Sequence, residues 1–506
     1  MSKSTELSAA AKPLTILHTS DWHLGRRLYG QLRYEEFEAF LAWLTKTIEQ
    51  YQVDILIVAG DIFDTMTPSN RAQALYYEFL GLISSLHCDH VVIVAGNHDS
   101  PTFLDAPANV LKFLNVHVIG TACDDIADEV LVLKSKSGEP QCIIAAVPYL
   151  RDRDVRNTQA GESGADKDAN LLAGIREHYA QVADIAKDKQ AELNAQSQRH
   201  IPIIATGHLF AAGGTTTEDD GVRDLYVGNL GKISADTFDD GFDYVALGHL
   251  HVPQKVGGSD TIRYSGSPIA MGFGEAKQTK QVLLVQFGEQ LDDFSEASEL
   301  SGVEGSLSTS VTPVVSNTVK DDPPFTPDLF DSLPSDIAED NGTDDNVVQD
   351  SLINIDKDNQ PTKNLYKNSD NSMQVVSVTV PCFQHLMHIS GELQEILNAL
   401  TALPTDKPIW IEVEYAGNEI VSDLREQINS VVADTPLQVL KIRNNQVRDK
   451  VLKSQVAHET LQDLDEMEVF ERCLAANDVA ESQRPSLREA YAQIVHDIHH
   501  EDKRAL

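Results

Sequence analysis

Asp21-Trp22-His23, Gly60-Asp61-Ile62-Phe63-Asp64, Gly96-Asn97-His98-Asp99, Gly207-His208 and Gly248-His249-Leu250-His251 are five short stretches rich in metal-ligand chemistry. Together they offer carboxylates, an amide oxygen and imidazoles in numbers that suit two divalent cations activating water against a phosphate ester. Asp21 and His23 are two residues apart. On an extended backbone both would point the same way and reach one ion. His249 and His251 repeat that spacing, and His208 supplies a further imidazole. Asp61 could bridge two ions with its two oxygens, Asn97 could offer an amide oxygen, and His98 could serve as an acid rather than a ligand. Each motif alone is ambiguous, since Asp after Gly is common in turns and a lone His is often a surface residue. Five of them in one region point to a two-metal centre.

Each motif follows a short apolar run. Residues 14–19, 54–59, 91–95, 142–147, 201–206 and 244–247 read as strands buried on both faces. Residues 34–50, 69–86 and 171–191 read as helices, with Ser69 a candidate N-cap. Alternating strands and helices predict an α/β domain over 13–290, with ligands at the carboxyl ends of its strands. The glycines at 60, 96, 207 and 248 allow a tight turn or a close backbone approach there.

With 506 residues, the chain exceeds one ordinary core. No run of about 18 apolar residues predicts a membrane span, and residues 1–12 read as a disordered start without a secretory signal. Five scattered cysteines (Cys88, Cys123, Cys142, Cys382, Cys473) fit a reducing cytoplasm and no disulfide framework. The net charge of −38 works against nucleic-acid binding by this chain alone. Part of it is local, with 18 Asp/Glu against 4 Lys/Arg in 291–372, a segment that reads as a disordered acidic linker. Order resumes as a small β-α-β-α-β unit over 373–443, with strands expected at 375–380, 409–415 and 437–442. Residues 444–506 read as amphipathic helices suited to partner docking. His18 is expected to be a satisfied buried histidine and Asp64 a turn residue beside the ligands. Arg223 reads equally as a phosphate contact or a structural ion pair. Lys441, Arg443, Arg448, Lys450 and Lys453 form a basic run that could touch DNA or a partner, a solvated helix face being the default.

The order of the five motifs resembles the calcineurin-like metallophosphoesterases, which include phosphatases, cyclic nucleotide phosphodiesterases and nucleases. The flanking residues narrow the match. His18-Thr19-Ser20-Asp21-Trp22-His23-Leu24-Gly25, Ala95-Gly96-Asn97-His98-Asp99-Ser100, Ala205-Thr206-Gly207-His208 and Arg263-Tyr264-Ser265-Gly266-Ser267-Pro268 resemble the nuclease subunits of bacterial SbcCD-type complexes. So do residues 222–228 and 246–251, and Glu468-Val469-Phe470-Glu471-Arg472 in the tail. The resemblance covers about 13–290 and about 374–475; the acidic 291–372 departs from it. It implies a β-sandwich flanked by helices, a small α+β capping domain and C-terminal helices. It also implies that Asp21, His23, Asp61 and His251 hold one ion and Asp61, Asn97, His208 and His249 the other, with manganese the expected metal. His98 would sit near the scissile phosphate, oriented by Asp99. The implied activity is hydrolysis of DNA phosphodiesters, 3′→5′ from duplex ends and endonucleolytic on single strands and hairpins. Since the sequence lacks a Gly-x-x-x-x-Gly-Lys-Ser/Thr loop, ATP use would belong to an SbcC-type partner, in a heterotetramer of two copies of each chain. A phosphomonoesterase or cyclic nucleotide phosphodiesterase on the same site is the alternative.

Overall fold

The computed structural model describes residues 12–155, 163–197, 199–211, 233–288, 365–369, 372–417, 421, 423–444, 470, 484, 488 and 491. In chain order the strands are β1 (Leu14–Thr19), β2 (Arg27–Leu28), β3 (Gln31–Leu32), β4 (Ile55–Ala59), β5 (His90–Val94), β6 (Val116–Ile119), β7 (Val130–Lys134), β8 (Pro140–Ala145) and β9 (Ile203–His208). They continue as β10 (Tyr244–Gly248), β11 (Gln254–Lys255), β12 (Ile262–Tyr264), β13 (Gln281–Phe287), β14 (Leu365–Lys367), β15 (Met373–Thr379), β16 (His385–Gly391), β17 (Ile409–Tyr415) and β18 (Leu437–Asn444). Seven strands form one sheet, ordered β14-β15-β13-β1-β4-β5-β6, and six form a second, ordered β11-β12-β10-β9-β8-β7.

The two sheets pack face to face. Ile16, Ile57 and Val92 from the first meet Ile144, Ile204 and Ala246 from the second in one buried cluster. Alternate residues point outward and are also buried. Leu17, Leu56 and Ile93 lie under helices Tyr34–Gln50 and Asn70–Ser84, and Ile143, Ile203 and Val245 lie under helix Gly164–Ser197. Burial on both faces is why these strands read as unbroken apolar runs. The architecture is the expected α/β sandwich flanked by helices. Ser69 caps its helix, accepting the Ala72 N–H at 3.2 Å. His18 is fully buried, with Nδ1 3.0 Å from the Tyr244 hydroxyl and Nε2 3.2 Å from the Leu247 carbonyl. It ties the sheets together as a satisfied core histidine.

Three expectations change. The strand expected at 375–380 does not open the small domain. As β15 it pairs antiparallel with β13 from Gln281↔Thr379 to Phe287↔Met373, and β14, within the segment read as linker, pairs with β15 in turn. Met373 and Val375 complete the inter-sheet core. The register is pinned by buried amides: Gln374 Nε2 donates to Gln286 Oε1 at 2.8 Å, and Gln286 Nε2 donates to Thr15 Oγ1 at 2.9 Å. A shifted register would leave those groups unpaired. Second, the small domain is the parallel sheet β16-β17-β18, with helices Leu393–Ala402 and Leu424–Val432 covering one face. Its first strand, His385–Gly391, has too few apolar residues to be seen in the sequence. Third, Lys441 and Arg443 lie on β18 rather than on a helix, and the buried Glu412 neutralises both, at 3.1 Å and 3.0 Å. Trp410 seats this domain against Leu28 and Phe273 of the first.

Because Gly288 N–H donates to the Ser372 carbonyl at 2.9 Å, the residues between them connect two neighbouring strands. Loop-closure entropy changes slowly with length. Replacing 289–371 by a short Asn-Gly turn should therefore leave the melting temperature within a few degrees and metal binding intact, although β14 is lost. Failure of that variant to fold in thermal denaturation would show that the segment is needed for the sandwich. Arg223, residues 222–228 and most of the expected docking region 444–506 fall outside the described residues; within that region Asn444 ends β18, and Phe470 and Tyr491 stack with ring centroids 4.0 Å apart. Among the described residues no helix is long and apolar enough to cross a membrane.

Candidate metal centre

The parallel strands β1, β4 and β5 of one sheet and β8, β9 and β10 of the other end together. Asp21, Asp61, Asn97 and His98 follow the first three; His208 ends β9, and His249 and His251 follow β10. The structure thus brings all seven expected ligands and His98 to one place. Asp21, His23, Asp61, His208, His249 and His251 are each at most 2% exposed. Asp21, His23 and His251 form one group able to hold an ion, Asp21, Asp61 and His208 another, and His23, Asp61 and His98 a third between them. Asp61 is central: Oδ2 lies 3.6 Å from His23 Nε2 and 3.3 Å from His208 Nε2, while Oδ1 accepts the His98 N–H at 2.8 Å.

The backbone achieves this differently from the extended i, i+2 geometry expected. Asp21, His23, Asp61 and His249 have φ of 54°, 48°, 52° and 101°, the left-handed side that non-glycine residues avoid. Each costs about 1 kcal/mol or more. Cross-strand bonds hold the kinks, with Asp21 N–H donating to the Gly60 carbonyl and His23 N–H to the Asp61 carbonyl, both at 3.0 Å. A Cβ on Gly96 would collide with the Asp61 carboxylate, so close approach explains that glycine.

The donors fit cations. His23 Nε2 and His251 Nε2 face each other at 3.2 Å. Their other nitrogens lie near carboxylates, outside hydrogen-bond geometry: His23 Nδ1 is 3.4 Å from Asp64, and His251 Nδ1 3.3 Å from Glu275. Protons on Nδ1 leave two Nε2 lone pairs opposed, an arrangement a shared cation relieves. His249 Nε2 is buried with no hydrogen-bond partner among the described residues. Asn97 Oδ1 lies 3.0 Å from His208 Nε2, and His208 Nδ1 bonds the Ala59 carbonyl at 3.0 Å, which again leaves Nε2 for a metal.

The electrostatics agree. Burial pushes His23 down to about 4 and His249 well below the usual histidine range, so both are neutral ligands near pH 7. Burial would raise the Asp61 carboxyl, but His208 and His23 hold it well below the usual range. Burial opposes a charge on His208, yet the Asp61 carboxylate pushes it up to about 9. That pair retains a proton where a cation would stand, and a metal would displace it.

Asp99 is placed differently from expectation. Its carboxylate accepts the N–H groups of Gly96 at 2.8 Å, Phe63 at 3.0 Å and Ile62 at 3.2 Å, and does not orient His98. Burial, with the Asp61 charge beside it, raises Asp99 to about 7. It clamps the two metal-bearing loops together. The His98 ring is held by Asp64, whose main-chain carbonyl lies 2.8 Å from Nδ1. The Asp64 side chain also bridges His23 and Arg26, the latter at 3.2 Å. Glu275 was not legible in the sequence, because it sits in no motif. It accepts from Met271 N–H at 2.9 Å, pairs with buried Lys280 and holds His251. Only an acidic residue in an otherwise Gly-rich stretch hinted at it.

Residues 14–253 match the calcineurin-like phosphoesterase family, and residues 382–478 match a family described as the type 5 capsule protein repressor C-terminal domain. The chain is similar to the D component of the SbcCD nuclease of Escherichia coli (strain K12), with 31% identity over 490 residues, covering 96% of this chain and 98% of that protein. It is also similar to the D component of the SbcCD nuclease of Rhodobacter capsulatus, 37% identical over 271 residues (52% of this chain, 64% of that one). The same component from Bacillus subtilis (strain 168) is 33% identical over 275 residues (54% and 66%).

Proposed function

The chain belongs to the family of D components of SbcCD nucleases, built on a calcineurin-like phosphoesterase domain, and from that premise we infer a two-metal DNA nuclease with the roles that follow. The observation that carries the reading is the opposed, carboxylate-backed imidazoles of His23 and His251 beside Asp61. Asp21, His23, Asp61 and His251 would hold one divalent ion, and Asp61, Asn97, His208 and His249 the second. The mixed oxygen and nitrogen set suits Mn²⁺. Two such ions lower the pKa of water and neutralise charge on a phosphodiester. The remaining roles belong to this chain. Its buried ligands exclude bulk water. Asp64 accepts from His98 Nδ1–H, which turns Nε2 toward the phosphate, where a protonated His98 can donate to the leaving oxygen. Asp99 fixes the loop that carries Asn97 and His98.

The substrate in this reading is DNA, degraded 3′→5′ from duplex ends and cut endonucleolytically on single strands and hairpins. An SbcC-type ATPase docks on residues 444–506, in a heterotetramer of two copies of each chain, in the cytoplasm. It supplies ATP hydrolysis and basic surface, because a chain of net charge −38 repels DNA. The test is cleavage of hairpin and linear DNA by the full chain in Mn²⁺, with and without the ATPase and ATP. Single-strand and hairpin cutting by the chain alone, and duplex-end degradation only with the partner and ATP, is the expected result. Hydrolysis of small phosphate esters with no DNA cleavage under either condition would favour a phosphatase or cyclic nucleotide phosphodiesterase.

A further inference from the structure

Among the described residues the buried ligands are bordered by partly exposed neighbours, and these differ from side to side. Next to His98 and His23, whose rings lie 4.8 Å apart, the rim is polar, made by Asp64 and Arg26. Next to His208 and His249, whose rings lie 5.4 Å apart, it is aromatic. Tyr149 meets His208 edge-on at 6.4 Å, and Phe210 meets His249 edge-on at 6.0 Å. Both rings are partly exposed, whereas the histidines they touch are buried. They arrive from separate strand ends. Tyr149 follows β8 and is anchored by its N–H to the Ala95 carbonyl at 2.8 Å, one residue before Gly96; Phe210 follows β9 directly.

We propose that Tyr149 and Phe210 form a stacking platform for the base of the nucleotide that keeps the scissile phosphate. The inference rests on the nuclease reading and deepens it. With His98 serving the leaving oxygen on the polar side, the retained nucleoside falls to the aromatic side. Every base has a π-face, so such a platform binds without reading sequence, as an end-degrading enzyme requires. It also supplies affinity that needs no basic residue, which suits an acidic chain.

Two esters with one leaving group isolate the effect: thymidine 5′-(p-nitrophenyl phosphate), which keeps a base on the phosphate, and methyl p-nitrophenyl phosphate, which does not. The Mn²⁺-loaded full chain should prefer the thymidine ester. The double variant Y149A/F210A should lose roughly 5- to 100-fold of that preference, through KM rather than kcat, with methyl ester hydrolysis and Mn²⁺ binding retained. The aromatic-conserving Y149F/F210Y should keep the preference. Equal loss on both esters would overturn the proposal, since the rings would then only brace His208 and His249; so would an unchanged preference in Y149A/F210A. A DNA oligonucleotide assayed in parallel separates this from the nuclease reading. Wild-type hydrolysis of both esters without cleavage of the oligonucleotide refutes the DNA substrate and removes the basis of the platform.

Discussion

Replacing Asp61 by Asn should empty the centre of metal and lower DNA cleavage on the order of 10³-fold or more. The carboxylate stands between both ligand groups, 3.6 Å from His23 Nε2 and 3.3 Å from His208 Nε2. An amide removes the negative charge and turns one oxygen ligand into an NH2 group, which cannot ligate a cation and can instead bond the imidazole Nε2 lone pairs it faces. Losing a metal clamp forfeits several kcal/mol of transition-state stabilisation, and each 1.36 kcal/mol is about tenfold in rate. Metal content by elemental analysis and cleavage rate should fall together. A D61N chain that still binds two ions and cleaves DNA at the wild-type rate would exclude Asp61 as the bridge. The fold should survive, because the sandwich core lies between the sheets and not at their ends.

The second large effect separates chemistry from metal binding. His98→Ala should keep both ions and lose about 10²- to 10⁴-fold in kcat, the usual contribution of a positioned proton donor. The N–H of residue 98 bonds Asp61 Oδ1 at 2.8 Å through the main chain, so alanine preserves that support for the ligand. The ring alone reaches toward substrate, braced by the Asp64 carbonyl at 2.8 Å. The loss should be smaller on esters whose leaving group needs no proton, such as p-nitrophenyl phosphodiesters, than on DNA. An equal loss on both would exclude proton donation to the leaving oxygen, and loss of metal would assign His98 to the ligand set instead.

The strands and five motifs were legible because their signals are local. β1, β4, β5, β9 and β10 are buried on both faces, so each is an apolar run, and each ligand stands within a few residues of a strand end. What was not legible depends on partners far away in sequence. β15 reads equally well as a strand in either domain; only the edge of β13 and the Gln286–Gln374 amide pair decide. The left-handed backbone at Asp21, His23, Asp61 and His249 is imposed by hydrogen bonds between strand ends and by packing, against the preference of those residues. Asp21 and His23 thus share one ligand group through a kinked backbone and not through the extended i, i+2 geometry, whereas His249 and His251 share none. Asp99 lies beside His98 in sequence, which suggested an orienting pair, yet three backbone N–H groups claim its oxygens. Glu275 carries no motif because it holds a histidine 24 residues earlier, a relation only the fold creates.

The central claim is that two ions held by these residues hydrolyse DNA. Its most direct test is a titration: strip the full chain of metal, add Mn²⁺ stepwise, and follow cleavage of a DNA hairpin. No cleavage without metal, rising to a plateau at two equivalents per chain, is the predicted result. Undiminished cleavage by the stripped chain, or a plateau at one equivalent, would contradict it.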